Sequence, residues 1–195
     1  MKYPSCLSEI YAHPGIDELD LSSIYTAHEQ VFFSKGEFIL TEGQLSNAYY
    51  CLENGLVRAF AKSAEGNEIT TAFFSPNEIV IEVASLFLRQ ATRENIQALS
   101  DCECWMIRYD AFQDLFENIS GFTEWGRSWM SRALLANKQR SLSMITDTAT
   151  NRYLKLQQEH PKVLQMAPLK YIASYLGVTD SSLSRIRKEV ALKGY

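Results

Sequence analysis

The sequence is poor in the residues that build metal centres and disulfide frameworks. It has four cysteines and three histidines in 195 residues, with no CxxC pair and no histidine spacing typical of a zinc site. Cys102 and Cys104 form one close pair, which a strand would place on a single face. We expect ordinary thiols, no metal and no disulfide framework. The scattered histidines also leave no Ser-His-Asp or Cys-His set, so the sequence does not predict an enzyme.

Long apolar runs are missing as well. No segment approaches the roughly 20 apolar residues of a membrane helix, and Met1–Cys6 lacks the apolar core of a signal peptide. The composition, 46% hydrophobic with 12% aromatic residues, is nevertheless that of a packed globular protein. We therefore predict a cytoplasmic protein with one large domain or two small ones.

The charge is divided unevenly along the chain. Residues 1–149 contain 11 Lys and Arg against 20 Asp and Glu, a balance of −9, whereas residues 150–195 contain 8 against 3, a balance of +5. The two values add to the overall −4. A basic end on an acidic protein is typical of a nucleic-acid-binding tail on a different domain, because phosphate binding depends on local positive charge.

Residues 168–188 have the pattern of a helix-turn-helix. Ala173 is small where two crossing helices nearly touch. Gly177 comes four residues later, where the first helix ends and a left-handed backbone favours glycine. Thr179 or Asp180 is placed to cap the second helix. The apolar positions that would pack the two helices are Ile172, Leu176, Val178, Leu183 and Ile186.

This motif predicts binding to double-stranded DNA. The polar face of the second helix carries Asp180, Ser181, Ser182 and Arg185, and such a face can enter a major groove. The alternative is an ordinary helical hairpin that only packs a core. The positive charge of this segment favours DNA.

The region from Val31 to Ile107 has the texture of short strands separated by glycine-centred turns. Strand patterns recur at intervals of about ten residues, which indicates a sandwich or barrel. The predicted strands are Phe32–Phe33, Phe38–Leu40, Ala48–Leu52, Leu56–Phe60, Ile69–Phe74, Ile96–Leu99 and Cys102–Ile107.

Helical periodicity begins at Tyr109. We predict a short helix over Asp110–Phe116 and a longer one after Gly121. The apolar face of the long helix either covers the β-domain or forms a subunit contact, and we favour a homodimer because a helix-turn-helix usually binds two half-sites. The residues of that face are Phe122, Trp125, Trp129, Ala133, Leu134, Leu135, Ala136, Leu142 and Ile145.

The segment before the helix-turn-helix contains another predicted helix and a predicted strand. The helix covers Thr148–Glu159 and ends before Pro161. Lys162–Met166 is a candidate strand of a small wing. The chain ends nine residues after Ile186, which leaves no room for a full hairpin beyond the second helix.

A β-roll, a long helix and a C-terminal helix-turn-helix in this order resemble the Crp/Fnr family of bacterial transcription regulators. The resemblance runs from about Leu19 to Lys188. It implies an α+β fold with an N-terminal double-stranded β-helix or jelly-roll and a winged-helix-like C-terminal domain. We expect a cyclic nucleotide-binding-like sensor domain at residues 1–118, a dimerisation helix at 119–146 and a DNA-binding domain at 147–195.

The family's cyclic nucleotide binders carry a phosphate-binding cassette, and this sequence departs from it. Glu82 matches the glutamate that binds the ribose. Ile81 replaces the glycine before it, where the backbone must approach the phosphate closely. Thr92 stands in place of the phosphate-binding arginine, and Arg93 and Glu94 follow it. A cyclic nucleotide is therefore a weakly supported effector, with Glu82, Val83, Thr92 and Arg93 as the candidate binding residues.

Two other interpretations of the cassette remain open. Glu82 and Arg93 are an ion pair or solvated loop charges in one of them. In the other, the cavity takes an uncharged or apolar effector. The aromatic residues that would line it, or would belong to an ordinary core, are Tyr50, Phe73, Phe74 and Phe87.

The resemblance also implies which residues contact DNA. Ser181, Ser182 and Arg185 occupy positions where the family reaches base edges and nearby phosphates, and Arg185 is suited to a bidentate contact with guanine. The full set of predicted DNA-binding residues is Lys170, Tyr171, Thr179, Asp180, Ser181, Ser182, Arg185, Arg187 and Lys188.

The predicted function is a dimeric, DNA-binding transcription regulator that senses a small effector through its β-roll. RNA polymerase is a further candidate partner of such a regulator. The alternative is a cyclic nucleotide sensor, for cyclic AMP or cyclic GMP, that acts mainly through protein partners. The basic helix-turn-helix argues against that alternative.

Overall fold

The computed structural model describes residues 4–193. The outermost parts of the first and last predicted domains, residues 1–3 and 194–195, lie outside the described residues. Two helices open the chain, α1 (Ser5–Ile10) and α2 (Glu18–Thr26). The strands that follow are β1 (Glu29–Phe33), β2 (Phe38–Leu40), β3 (Ala48–Asn54), β4 (Val57–Lys62), β5 (Glu68–Phe74), β6 (Ile79–Val80), β7 (Asn95–Ala98) and β8 (Cys102–Arg108). The remaining helices are α3 (Val83–Leu88), α4 (Tyr109–Asn118), α5 (Ser120–Thr146), α6 (Ala149–Glu159), α7 (Pro161–Met166), α8 (Leu169–Leu176) and α9 (Asp180–Lys193).

The strands form two four-stranded antiparallel sheets, ordered β1-β8-β3-β6 and β2-β7-β4-β5. We call residues 29–108 the β-roll. All seven predicted strands lie at strands of the structure, and the predicted fold class is confirmed. The sheets enclose one apolar core, whose buried members include Leu52, Val57, Val80 and Cys104. All four cysteines are buried free thiols.

The long helix α5 has two differently covered parts. Its start packs tightly on the β-roll side of the molecule. A Cβ added at Gly121 would lie 1.8 Å from the carbonyl oxygen of Gly15. Trp125 is buried, and its Nε1 donates a hydrogen bond to the carbonyl of Ile10 at 2.7 Å. The later part leaves its apolar side chains exposed, as at Leu134 (73%) and Ile145 (82%). The sequence pattern left both roles open: the start of the helix covers the β-roll side, and the apolar side chains of the later part are exposed in the single chain.

Helices α6–α9 form a separate small core, and we call residues 149–193 the head. The predicted wing strand at Lys162–Met166 is wrong, because Pro161–Met166 is helix α7. Pro161 stands at the first helical position, where its fixed φ favours a helix and its missing N–H costs nothing. Val163 and Ala167 then reach the same core, four residues apart, with helical spacing. Within the described residues the head contains only helices.

No helix among residues 4–193 combines the length and the apolar character that crossing a membrane requires.

Candidate DNA-binding head and effector cavity

The turn between α8 and α9 has the geometry that the sequence predicts. Gly177 follows α8 with φ 68° and ψ 37°, in the left-handed region. The N–H of Val178 donates to the carbonyl of Ala173 at 3.0 Å, which closes the end of the helix. A Cβ at Gly177 would lie 2.6 Å from Cε of Met144 in α5. Glycine is therefore favoured here by its left-handed backbone, whereas the flexible end of the Met144 side chain could move aside.

The second helix is capped by Thr179. Its Oγ1 accepts a hydrogen bond from the N–H of Ser182 at 3.2 Å, so Asp180 becomes the first residue of α9. Ala173 is buried between the helices. The five apolar positions predicted to pack them do so, four fully and Val178 partly buried: Ile172, Leu176, Val178, Leu183 and Ile186.

The outer face of α9 is open and basic. Its exposed residues include Asp180, Ser181, Arg185, Arg187 and Lys188, and Ser182 is half-buried. Among residues 4–193, none of the three cations forms an ion pair. Their charges are therefore available to a ligand.

The hydroxyls of Thr179, Ser181 and Ser182 cluster at the start of α9. Thr179 Oγ1 lies 3.0 Å from Oγ of Ser181 and 3.0 Å from Oγ of Ser182. Hydroxyls can both donate and accept, so this end of the helix can bond either base edges or phosphate oxygens.

The inner helix α8 presents its predicted phosphate contacts differently. Lys170 is exposed at the start of the helix, with Nζ 4.9 Å from the ring centre of Tyr171. The ring of Tyr171 is covered by the β-roll, because the guanidinium carbon of Arg58 lies 3.4 Å from its centre.

Arg58 is the residue that sequence reasoning missed. It is 0% exposed and lies between the rings of Tyr171 and Phe60, 3.9 Å from the centre of the latter. Its Nη2 donates to Glu68 at 2.8 Å and to Gln97 at 3.3 Å. The contact joins β4 to the head by cation–π interactions. An arginine inside the apolar run Leu56–Phe60 was the available signal.

Polar and aromatic contacts continue this docked surface along β5. The N–H of Thr70 donates to Oγ of Ser174 at 3.2 Å, and the two side-chain hydroxyls are 2.9 Å apart. Phe73 and Tyr175 pack edge to face with ring centres 5.2 Å apart. Phe73 therefore belongs to the contact with the head.

A cavity of about 470 Å³ lies inside the β-roll, between the β2–β3 loop, β3 and the segment before α3. Its polar lining includes Glu82, Arg108, Asn47 and Tyr50. Of the four aromatic residues named as candidate lining, Tyr50 is at the cavity, whereas Phe87 packs on Phe112. The apolar lining comes mainly from Ile39, Leu40, Val80, Ile81, Ile96 and Met106.

Glu82 is already bonded within the protein. Its Oε2 accepts a hydrogen bond from the N–H of Ser85 at 2.5 Å and caps the start of α3. The Glu82 carboxylate therefore binds a helix N–H group that a bound anion would otherwise contact. Burial raises the pKa of nearby Glu94, and the charge of Glu82 raises it further.

The other predicted effector residues do not converge on the cavity. Val83 and Arg93 are exposed, and no ion pair joins Arg93 to Glu82 within the described part of the chain. Thr92 is buried, and its Oγ1 accepts from the N–H of Glu94 at 3.0 Å. Thr92 thus shapes the loop before β7.

A different arginine holds the rim of the cavity. Arg89 follows α3 with a left-handed backbone, at φ 54°. Its guanidinium donates to the carbonyl of Ser46 at 2.9 Å and to Oδ1 of Asn47 at 2.6 Å, and it stacks on Tyr109. Arg108 is the one arginine in the lining, and its Nε lies 3.5 Å from a carboxylate oxygen of Glu29. Neither was predicted, since both contacts join residues distant in sequence, across loops for Arg89 and between β8 and β1 for Arg108.

Comparison with protein families supports the class of the β-roll. Residues 30–119 match the family model of the cyclic nucleotide-binding domain. A comparison with curated protein sequences gives no significant match.

Solved structures resemble the chain over nearly its whole length. FixK2 from Bradyrhizobium japonicum has a TM-score of 0.74 at 18% identity and covers 86% of each chain. A protein from Eubacterium rectale, assigned to the Crp/Fnr family of transcriptional regulators, has a TM-score of 0.69 at 14% identity and covers 91% of this chain and 85% of its own. The catabolite activator protein of Thermus thermophilus has a TM-score of 0.60 at 19% identity, with 97% and 88% covered.

Residues 30–119 therefore match the cyclic nucleotide-binding domain model, and the long helix α5 joins this part of the chain to a helix-turn-helix. The chain has the fold of Crp/Fnr transcription regulators, and the predicted resemblance is confirmed at that level.

Proposed function

We propose that the protein is a DNA-binding transcription regulator of a bacterial cytoplasm. The observation that carries this proposal is the open face of α9, where Arg185, Arg187 and Lys188 are exposed and have no ion-pair partner among residues 4–193. A helix of this kind, set on the outer side of a helix-turn-helix, fits the major groove.

The residues of this face have different roles in the proposal. Arg185 reads a base edge, and the hydroxyls of Ser181 and Ser182 bond bases or phosphates beside it. Arg187, Lys188 and Lys170 position the DNA backbone. Asp180 either accepts a hydrogen bond from a cytosine amino group or, as a negative charge in the first turn of α9, interacts favourably with the helix dipole.

The regulator acts as a homodimer in this proposal. The exposed apolar side chains of α5, such as Leu134, Leu135, Leu142 and Ile145, form the contact with a second copy. Covering them removes apolar surface from water, which stabilises association. Two heads then read two half-sites on one side of the duplex.

The β-roll cavity is the proposed effector site, and its residues do not fit an anionic cyclic phosphate. Glu82 already caps α3, Glu94 adds a second carboxyl group nearby, and Arg93 is exposed outside the lining. An uncharged small molecule with both apolar and hydrogen-bonding groups fits this mixed lining better. Effector binding would change the arrangement of the heads through α5, and RNA polymerase is the proposed downstream partner.

Selection of DNA sites from a random pool tests the regulatory function. We expect an enriched inverted repeat with half-sites spaced by one helical turn, bound more weakly as salt increases. The variant R185Q/R187Q/K188Q should lose this binding, whereas the control R127Q/R132Q/K138Q on α5 should retain it. Failure to enrich any sequence, with equal weak binding to all DNA, would overturn the proposal.

Calorimetric titration tests the effector class. Cyclic AMP and cyclic GMP should give no binding heat at millimolar concentration, because Glu82 lies in the lining and the one arginine there, Arg108, is already within ion-pair distance of Glu29. Micromolar binding that is lost in Glu82→Ala would show instead that the altered cassette still binds a nucleotide.

A further inference from the structure

A second cavity, of about 390 Å³, lies where β5, α5, α6 and α8 meet. It is therefore lined by the β-roll, the long helix and the head together, and it is separate from the effector cavity. Its basic lining residues are Arg140, Arg152 and Lys155, and Glu159 is its single acidic one. The volume is within the range of small-molecule sites.

Arg140 joins all three parts of the protein at this cavity. From α5 its Nε donates to the carbonyl of Thr71 in β5 at 3.4 Å, and its Nη2 donates to the carbonyl of Tyr175 in α8 at 3.2 Å. The guanidinium carbon lies 4.1 Å from the centre of the Tyr175 ring. Its Nη1 takes part in neither bond.

Arg152 approaches the same place from α6. Its Nε donates to the carbonyl of Leu176 at 3.1 Å, and its Nη1 donates to the carbonyl of Asp147 at 2.6 Å. Its Nη2 takes part in neither of these two hydrogen bonds. The two arginines thus bond consecutive carbonyls, those of Tyr175 and Leu176, and both side chains line the same cavity.

Within residues 4–193 these arginines are not directly paired with acids, although the charges of Lys155 and Arg152 act on the nearby carboxylate of Asp147, whose pKa is lowered mainly by hydrogen bonds from Ser143 and Thr146. Among residues 4–193, no carboxylate lies within salt-bridge distance of Arg140 or Arg152. Glu159 lies 3.9 Å from Lys155. A guanidinium has five N–H donors and binds phosphate in a bidentate manner. Two such groups with spare donors, beside a lysine, are the chemistry of a phosphate site.

We propose that this cavity binds a small anion that carries a diphosphate, and that the anion fastens the head to the β-roll and α5. The phosphates bond the free N–H groups of Arg140 and Arg152, and Lys155 adds charge at the open side. This binding does not depend on the proposed DNA-binding function, so the two ideas can fail separately.

Thermal unfolding and calorimetry with inorganic pyrophosphate, in the absence of DNA, test the proposal. Pyrophosphate should raise the Tm, and above its Kd the increase should follow the logarithm of its concentration. Arg140→Gln and Arg152→Gln should each weaken its Kd at least about tenfold, since each removes a charge-assisted hydrogen bond but leaves an amide for the carbonyl. Arg132→Gln on α5, outside the cavity, is the matched control and should leave the Kd unchanged.

A milder variant keeps the test valid if Arg152→Gln does not fold. Lys155→Gln changes an exposed side chain, and it should weaken the Kd about twofold to fivefold. Sodium chloride at equal ionic strength separates general salt effects from diphosphate binding. The proposal is overturned if millimolar pyrophosphate leaves the Tm unchanged, or if the cavity variants bind it as well as Arg132→Gln does.

Discussion

The head has two faces that differ in their polar side chains: on one they are bonded within the protein, and on the other they are exposed to solvent. The face on α8 is docked on the β-roll, where Ser174 bonds Thr70 and Tyr171 covers the buried guanidinium of Arg58. The face on α9 is open, and Arg185 has no ion-pair partner within residues 4–193. Polar groups bonded inside the protein contribute to stability and position, whereas unpaired exposed cations are available to a ligand.

The largest expected effect is on the docked face. Arg58→Ala removes a fully buried side chain and its two ring contacts, so it should lower the free energy of unfolding by about 2–4 kcal/mol. Urea unfolding and hydrogen exchange of the α8 amides measure the loss. Arg58→Met, which keeps most of the volume without the buried charge, should lose less. Equal stability of wild type and Arg58→Ala would show that the docked face contributes little.

We expect lower pH to destabilise the β-roll side of the protein, through His28, more than the head. His28 is buried, its Nδ1 donates to the carbonyl of Ile24 at 2.7 Å, and Tyr11 OH lies 2.9 Å from its Nε2. Burial lowers the pKa of His28 from 6.5 to about 4. The unfolded chain therefore takes up a proton before the folded one does.

Stability from His28 is complete above pH 6.5 and is lost as the pH falls towards 4, by about 3 kcal/mol. The urea midpoint measured from pH 7 to pH 4 checks this. His28→Phe should unfold with a smaller pH dependence than wild type. Parallel curves for the two proteins would contradict the role of this histidine.

On the open face, Arg185→Ala should affect recognition and leave stability alone. We expect a loss of about 1–3 kcal/mol in discrimination at one position of each half-site, because a bidentate contact with guanine is removed. Competition binding with site variants measures it, and an unchanged Tm is the control. Equal weakening on every sequence would show that Arg185 contacts only phosphate.

The smallest expected effect is that of Lys188→Ala. If Lys188 contacts one phosphate per head, its loss should weaken binding on all sequences and reduce the salt-dependence slope by about one contact per head. Titrations at several salt concentrations measure the slope. Lys62→Ala, on the β-roll, should leave it unchanged, and an equal change in both variants would contradict the assignment.

The head was largely predictable because its signals are local. Gly177, Thr179 and the apolar spacing around them act through contacts within about ten residues, and all were confirmed. The wing strand failed because five residues with three apolar positions fit either structure, and Pro161 was used only as the end of the preceding helix. The effector cavity was less predictable, since its rim depends on Arg89 meeting Ser46 and Asn47 across two loops.

Local sequence patterns specify the order of elements, the helix-turn-helix and the basic character of its end, because periodicity, turn residues and charge are local properties. Folding in three dimensions was needed to bury Arg58 against Tyr171, to place Glu82 as the cap of α3, and to bring Arg140 and Arg152 to one cavity. Burial and pairing between residues far apart in the chain arise when the elements pack, and one-dimensional patterns do not contain them.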